Sequence, residues 1–414
     1  MTIHFEIRID EQAVIESVDK LQLQWKEYLQ SRSATIDAMT FQQAPLHLCY
    51  GGDYTIYSEG TTVTSILLTE TTSFEVYTFL LSTEEPSIEE LEPSEGGGSD
   101  QEWTAACENL TLPHVSLHTS WESLLFEGSI KQQLFYYANS ALHFADKQVS
   151  GHMVHWNRLV LLWGPPGTGK TSLCRALAQK LAIRLNRRFP RACLLEIHSH
   201  SLFSKWFSTS GKLIHKLFDL IQEMLQEDPE RLVCVLMDEI ESLAASRSAA
   251  SSSEPTDAMR AVNSLLTGLD RLRHCPNVLL LATTNLTQSV DTAFLDRADV
   301  KIYIGPPCLE ARCAMLHSSL NELMRVKIVR KTEETDPDGN ATTNSLYQQR
   351  VLSLALLADG LSGRSLRRLP LQAHARVASS TLASIDSIPM DVYMNALEHT
   401  IRMELESLKL MNKS

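Results

Sequence analysis

A chain of 414 residues exceeds the size at which a single hydrophobic core keeps growing, so two or three compact units are expected. Hydrophobic residues at 43% and charged residues at 21% supply enough apolar material for real cores. The formal net charge of −13 disfavours a general nucleic-acid or anionic-membrane surface, both of which require Lys/Arg patches. None of the eight cysteines forms a Cys-x-x-Cys pair, and several lie in apolar runs, which disfavours zinc and a disulfide framework and fits a reducing compartment. No basic-then-apolar leader is visible at the start, no apolar run is long enough to span a bilayer, and the three glycosylation sequons are read as chance.

In chain order, residues 1–81 mix strand and helix signals and suggest a small α+β domain. Phe5, Ile7 and Ile9 alternate with polar residues, Phe74 to Phe79 does likewise, and between Ala13 and Leu29 the apolar spacing is closer to helical. Residues 82–114 read as an acidic flexible linker. Ser82 to Glu102 carries eight acidic residues, Gly96-Gly97-Gly98 and no Lys or Arg, so it buries too little to offset its ordering entropy. About 21 residues of flexible coil would span roughly 25 Å.

From 115 to 305 short apolar strands alternate with amphipathic helices, the pattern of an α/β unit with a helix-covered parallel sheet. The predicted strands are Leu159–Trp163, Leu194–Ile197, Val233–Met237, Val278–Ala282 and Lys301–Ile304. From 306 to 414 helices dominate. The last carries Leu397, Ile401, Leu405 and Leu408 on one face and opens near Asp391, and Arg330 to Ser345 reads as a polar surface insertion.

The strongest chemical signal is Gly164-Pro165-Pro166-Gly167-Thr168-Gly169-Lys170-Thr171, a complete phosphate loop between an apolar strand and an amphipathic helix. Gly167 and Gly169 let backbone N–H groups close on phosphate oxygens, and the following helix points its positive end at the anion. Lys170 suits the β/γ phosphates of ATP, and the Thr171 hydroxyl suits Mg²⁺. The apolar strand Leu232 to Met237 ends in Asp238-Glu239, a pair suited to holding Mg²⁺ through water and polarising the attacking water respectively. Asn285, at the tip of the strand Leu279 to Thr284, is either a satisfied turn residue or a group that positions the lytic water or senses the γ-phosphate.

These motifs, together with Asp291 to Asp299, occur in the order of the AAA+ ATPases, which the stretch from about 120 to 405 resembles. Within them it looks most like the pachytene checkpoint protein 2 group, through Ser204 to Lys212, Asp296-Arg297-Ala298-Asp299, Ile304-Gly305-Pro306-Pro307 and Gly360-Leu361-Ser362-Gly363-Arg364. The resemblance implies an AAA+ parallel-sheet core with a helical C-terminal lid, and a homo-hexamer with nucleotide between neighbours. Arg297 then matches the trans-acting arginine finger, although many relatives carry two arginines where this chain has one before Asp299. Arg364 matches the second sensor on the lid; without the family it would be one surface arginine beside Arg367 and Arg368. Lys205-Trp206-Phe207 matches a pore loop that grips polypeptide. Trp beside Phe otherwise suggests core, but the following Ser-Thr-Ser-Gly suits an exposed loop, and Thr209 departs from the Glu of many relatives.

The implied activity is remodelling of HORMA-domain proteins, from closed to open, in meiotic chromosome and spindle-checkpoint control, in some cases through an adaptor. The implied location is nucleus and cytoplasm, with no membrane and no direct nucleic-acid partner. A DNA-processing AAA+ protein of clamp-loader or helicase type is the competing reading, against which the acidic balance and aromatic pore loop count. A small-molecule kinase would leave Asn285, Arg297 and the helical C-terminal part without a task.

Overall fold

The structure, a computed structural model, describes residues 2–8, 18–30, 35–36, 54–58, 61–63, 66–67, 73–91, 104–197, 210–241, 255–285, 290–330, 342–380 and 387–411. The chain forms two compact units. The first comprises residues 1–124, 131–163 and 171–302, and the second 125–130, 164–170 and 303–414. The expected N-terminal domain and the sheet-bearing core therefore belong to one unit. The phosphate loop, expected with the core, groups with the C-terminal helices.

The N-terminal part of the first unit has strands β1 (Thr2–Arg8), β2 (Thr35–Ile36), β3 (Tyr54–Ser58), β4 (Thr61–Val63), β5 (Ile66–Leu67) and β6 (Ser73–Phe79), with helix α1 (Val18–Gln30). Four of them form a sheet in the order β4-β3-β1-β6, in which β1 runs antiparallel to β3 and parallel to β6. Phe5 and Ile7 are buried, as their alternation predicts. Glu6, which the same alternation points outward, is also buried, because its face of β1 meets the core rather than water.

A seven-stranded sheet organises the rest of this unit. Its strands are β7 (Ser87–Leu91), β8 (Thr104–Leu112), β9 (Leu159–Trp163), β10 (Arg191–Ile197), β11 (Arg231–Met237), β12 (Val278–Thr284) and β13 (Val300–Tyr303), in the order β13-β9-β12-β11-β10-β8-β7. Strands β9, β12, β11 and β10 are mutually parallel, and β8 and β7 add antiparallel at one edge. This corrects the reading of 82–114 as a flexible linker. Composition averaged over the run hid Ala106, Cys107, Leu110 and Leu112, which are buried on β8, while the carboxylates of β7 face solvent at the sheet edge. Residues 92–103 lie outside the described residues.

Helices α2 (Ser120–Ser123), α3 (Ile130–Asp146), α4 (Lys170–Arg184), α5 (Ser210–Glu227), α6 (Pro255–Leu272) and α7 (Thr292–Arg297) accompany this sheet. Leu213, Leu217, Phe218 and Ile221 of α5 and Leu265, Leu269 and Leu272 of α6 pack with Val233, Val235 and Leu280 in one core. Strand β12 is buried at every position, and β11 at all but its first, because both faces of the sheet are covered; this is why both read as continuous apolar runs. Cys107 and Cys193 serve as small core hydrophobes, and burial pushes both thiols up to about 12.

The second unit continues with α8 (Leu309–Arg325), β14 (Val329–Arg330), α9 (Thr342–Leu357), α10 (Gly363–Ser380), β15 (Ile388–Pro389) and α11 (Met390–Met411). Leu316, Leu354, Leu366, Tyr393, Leu397 and Ile401 share its core. The expected insertion at 330–345 is shorter than its polarity suggests, since α9 already begins at Thr342; residues 331–341 lie outside the described residues. Among the described residues no helix is long and apolar enough to cross a membrane.

Candidate active site

Sheet register brings the chemically suggestive segments to one edge. Trp163 pairs with Thr284, Ala282 with Met237 and Met237 with Ile197, so Trp163, Asp238-Glu239 and Asn285 all lie at the same C-terminal edge of parallel strands. Strand β9 is pinned at its start. The Asp299 carboxylate accepts from the backbone N–H of Asn157 at 2.8 Å and of Leu159 at 3.3 Å, and from the Tyr137 hydroxyl at 2.6 Å. Buried Arg158 donates to the carbonyls of Arg273 and Cys275, both at 2.6 Å, just beyond α6. Helix α4 is tied to β10 by a bidentate pair, Arg175 to Glu196 at 2.7 and 2.6 Å.

In the loop itself Gly164, Gly167 and Gly169 have φ of 145°, 76° and 95°, a region that side-chain-bearing residues avoid. A Cβ at Gly164 would lie 2.2 Å from the Ile304 carbonyl oxygen. Lys170 is buried, and its ammonium donates to the carbonyls of Gly164 at 2.9 Å and Pro165 at 2.8 Å. Thr168 donates to Pro165 at 3.0 Å, while Pro165 and Pro166 are exposed. Arg364, in the first turn of α10, has its backbone N–H on the Gly167 carbonyl at 3.1 Å and its side chain exposed. Arg364, predicted from the sequence as a second sensor, thus touches the loop through its backbone, within a single unit.

In the first unit the Thr171 hydroxyl donates to the Asp238 carboxylate, 2.9 Å from Oδ1 and 3.1 Å from Oδ2. Thr283 donates to Asp238 Oδ1 from the neighbouring strand. Its hydroxyl oxygen also accepts from the Glu239 backbone N–H at 3.3 Å, and the Thr283 carbonyl accepts from Ile240 at 3.0 Å. Glu239 has φ of 53°, a strained left-handed conformation for a residue with a side chain, and its carboxylate is exposed. Asn285 donates from both its backbone N–H, at 3.2 Å, and its side-chain Nδ2, at 2.7 Å, to Glu241 Oε1.

Arg297, the last residue of α7, makes a bidentate pair with Asp270 of α6 at 2.8 and 2.7 Å, and donates to the Ala293 carbonyl at 2.8 Å. These hydrogen bonds hold the Asp270 carboxyl below its ordinary range and raise the guanidinium of Arg297. Lys205, Trp206 and Phe207 lie outside the described residues.

Four participants escaped sequence reasoning. Thr283 was visible only as a polar residue ending a buried strand, and Glu241 as the next acid after Asp238-Glu239. Asp270 gave no signal beyond ordinary charge, and Asp299 stood only as the end of a family string, because their roles depend on contacts 27 and 142 residues away along the chain.

Residues 160–306 match the model of the ATPase family associated with various cellular activities (AAA), and residues 308–405 match the TRIP13-like, AAA+ ATPase lid C-terminal domain. The pachytene checkpoint protein 2 homolog of Oryza sativa subsp. indica is 46% identical over 352 residues, covering 80% of this chain and 71% of that protein. The homolog of Danio rerio is 44% identical over 346 residues, covering 81% and 78%. The solved structure of C. elegans PCH-2 superposes with a TM-score of 0.75 at 32% identity, over 98% of this chain and 99% of that one. The E. coli MS115-1 HORMA:CdnC:Trip13 complex gives a TM-score of 0.53 at 18% identity, over 71% and 94%, a likeness of fold. Similarity of this order over four-fifths of the chain settles its family: it belongs to the pachytene checkpoint protein 2 group of AAA ATPases, enzymes that hydrolyse ATP.

Proposed function

We propose that this ATPase works as a ring of six copies that pulls on HORMA-domain proteins and converts them from closed to open forms, in meiotic chromosome and spindle-checkpoint control. The observation that carries the substrate class is the lid: residues 308–405 match the TRIP13-like type, and a bacterial Trip13 of the same fold is known in complex with a HORMA protein. On this reading the protein acts in nucleus and cytoplasm, with or without an adaptor. The N-terminal part, residues 1–81, selects the substrate, and Trp206, flanked by Lys205 and Phe207, grips polypeptide in the ring's pore.

The centre supports the hydrolytic half of this cycle. Thr171 and Asp238 offer only hard oxygen donors within 2.9 Å of each other, a set that suits Mg²⁺ completed by phosphate oxygens and water. Bound there, Mg²⁺ would neutralise phosphate charge. Gly167, Thr168 and Gly169 present backbone N–H groups to the phosphates, and Lys170, held on the loop's own carbonyls, places its cation against the β/γ oxygens. Glu239 stands in its strained conformation at the strand end and takes the proton of the attacking water, with Asn285 orienting that water. Arg364 acts on the γ-phosphate of its own subunit. Arg297 acts on that of a neighbour, where a fixed cation stabilises transition-state charge.

The test is Glu239→Gln, which keeps the loop and Thr171–Asp238 but loses the base. ATP should bind and remain, and closed HORMA-domain proteins should co-purify with the trapped form. Wild-type turnover should rise with a closed HORMA protein and not with DNA. Normal turnover in Glu239→Gln would refute the lytic assignment, and stimulation by DNA alone would transfer the protein to the DNA-processing class.

A further inference from the structure

The acidic segment after β11 continues past Glu239 to Glu241, a residue that neither strand-end motif assigns. It is brought to the centre by the zipper of Glu239 and Ile240 onto Thr283, two residues before Asn285. Glu241 Oε1 receives both the backbone N–H of Asn285 at 3.2 Å and its Nδ2 at 2.7 Å. The second oxygen, Oε2, is buried and has no hydrogen-bond partner among the described residues, an arrangement that collects at functional sites.

The chemistry of this contact has a direction. An ionised carboxylate accepts and cannot donate, so it admits only the NH₂ side of the Asn285 amide. The orientation of an asparagine, ordinarily ambiguous between oxygen and nitrogen, is therefore fixed by its partner. One amide hydrogen is committed to Glu241, and Oδ1 is turned the other way. In this orientation the carbonyl oxygen points away from the carboxylate and has the chemistry to accept from a water O–H.

We propose that Glu241 is a positioning residue that locks the amide of Asn285 so that its carbonyl oxygen orients the lytic water. The inference rests on the placement of Asn285 in the hydrolytic centre. Glu241→Gln keeps an acceptor oxygen and holds kcat within about threefold of wild type, whereas Glu241→Leu frees the amide and lowers kcat by about 10- to 100-fold with the KM for ATP within about twofold. Asn285→Asp sets two carboxylates against each other and lowers kcat by about 100-fold. Adding Glu241→Gln to it restores the contact with the donor now on residue 241 and an acceptor still at 285, and recovers at least about tenfold of the loss.

The experiment measures steady-state ATPase and ATP affinity of Asn285→Ala, the two Glu241 variants, Asn285→Asp and the double variant, each checked for unchanged melting. A double variant no better than Asn285→Asp, with ATP still bound, would show that residue 285 must donate, and overturns the proposal. An unchanged kcat in Glu241→Leu beside an impaired Asn285→Ala overturns the proposal alone. An unchanged kcat in Asn285→Ala removes Asn285 from the centre and the proposal with it.

Discussion

Glu6 offers the sharpest test of how the N-terminal sheet is held. Its carboxylate receives Lys180 at 2.7 Å and is also paired with Arg184, both on the last turns of α4, and all three side chains are at most 7% exposed. Burial alone would raise the Glu6 carboxyl, but the two cations outweigh it and hold it below its ordinary value of 4.5. Glu6→Gln preserves shape and leaves two buried cations without their anion. Breaking a buried pair from one side costs about 3–5 kcal/mol. Lys180 keeps Glu122 at 3.6 Å and Arg184 keeps the face of Tyr77 at 4.8 Å, which places the expected cost near the lower end, about 3 kcal/mol. Hydrogen exchange reads this as a roughly 100-fold loss of protection in β1 and β6. Because the folded carboxyl is the stronger acid, its contribution is complete above the ordinary carboxylate value. It disappears as pH falls through the folded value, so the difference between wild type and Glu6→Gln should narrow below the ordinary carboxylate value of 4.5 and close only once pH has passed the lowered folded value. Adding Lys180→Met should return part of the loss by removing one stranded charge. A change of protection under about fivefold in Glu6→Gln would refute the ion cluster as the anchor.

Two further outcomes follow from geometry already described. Gly164→Ala forces a Cβ to within 2.2 Å of a backbone oxygen at a φ of 145°, where backbone cannot yield cheaply, so fluorescent-nucleotide affinity should fall by at least about tenfold. Gly151→Ala, with nothing within 4 Å, is the silent control. Arg297→Ala removes a pair whose partner Asp270 is about half exposed, so thermal stability should move by less than about 1 kcal/mol while turnover falls by about a thousandfold. Mixing Arg297→Ala with Lys170→Ala subunits should restore part of the ATPase activity, and verified mixed rings that stay inactive would refute action across a subunit boundary.

What could be read from the chain was whatever its local spacing determines. Leu159–Trp163 was found to the residue because a fully buried parallel strand is a continuous apolar run, and the loop after it because phosphate binding demands glycines in a set order. Three of the other core strands were clipped at one end, where Arg191, Arg231 and Thr283-Thr284 are polar residues whose sheet pairing comes from neighbours, and the fourth was placed one residue late, at Lys301–Ile304 instead of Val300–Tyr303. The burial of Glu6 was not legible in the alternation of Phe5 and Ile7, because period two gives the two faces of a strand and not what lies against each. Asp238 and Glu239 were legible as two acids at a strand end. The contacts that orient them, from Thr171 and Thr283, join residues 67 and 45 positions apart, a relation that sequence periodicity does not carry.

Strand β7 gives the acidic run a role that no tether would have. Among the described residues it ends the seven-stranded sheet with one ladder unpaired, the kind of edge on which a foreign strand can nucleate a cross-chain sheet. Ile88 on that strand is 60% exposed and would favour such addition. Glu89 and Glu90 follow it, the register slips between them, and Asn109 and Thr111 of β8 bind Glu89 and Glu84 at 3.3 Å. Another copy approaching in strand register would bring like charges together on an irregular ladder. The carboxylates thus guard a sheet edge against aggregation, most of all at the high local concentration that an assembly of identical chains creates, and the guard weakens wherever acid neutralises it.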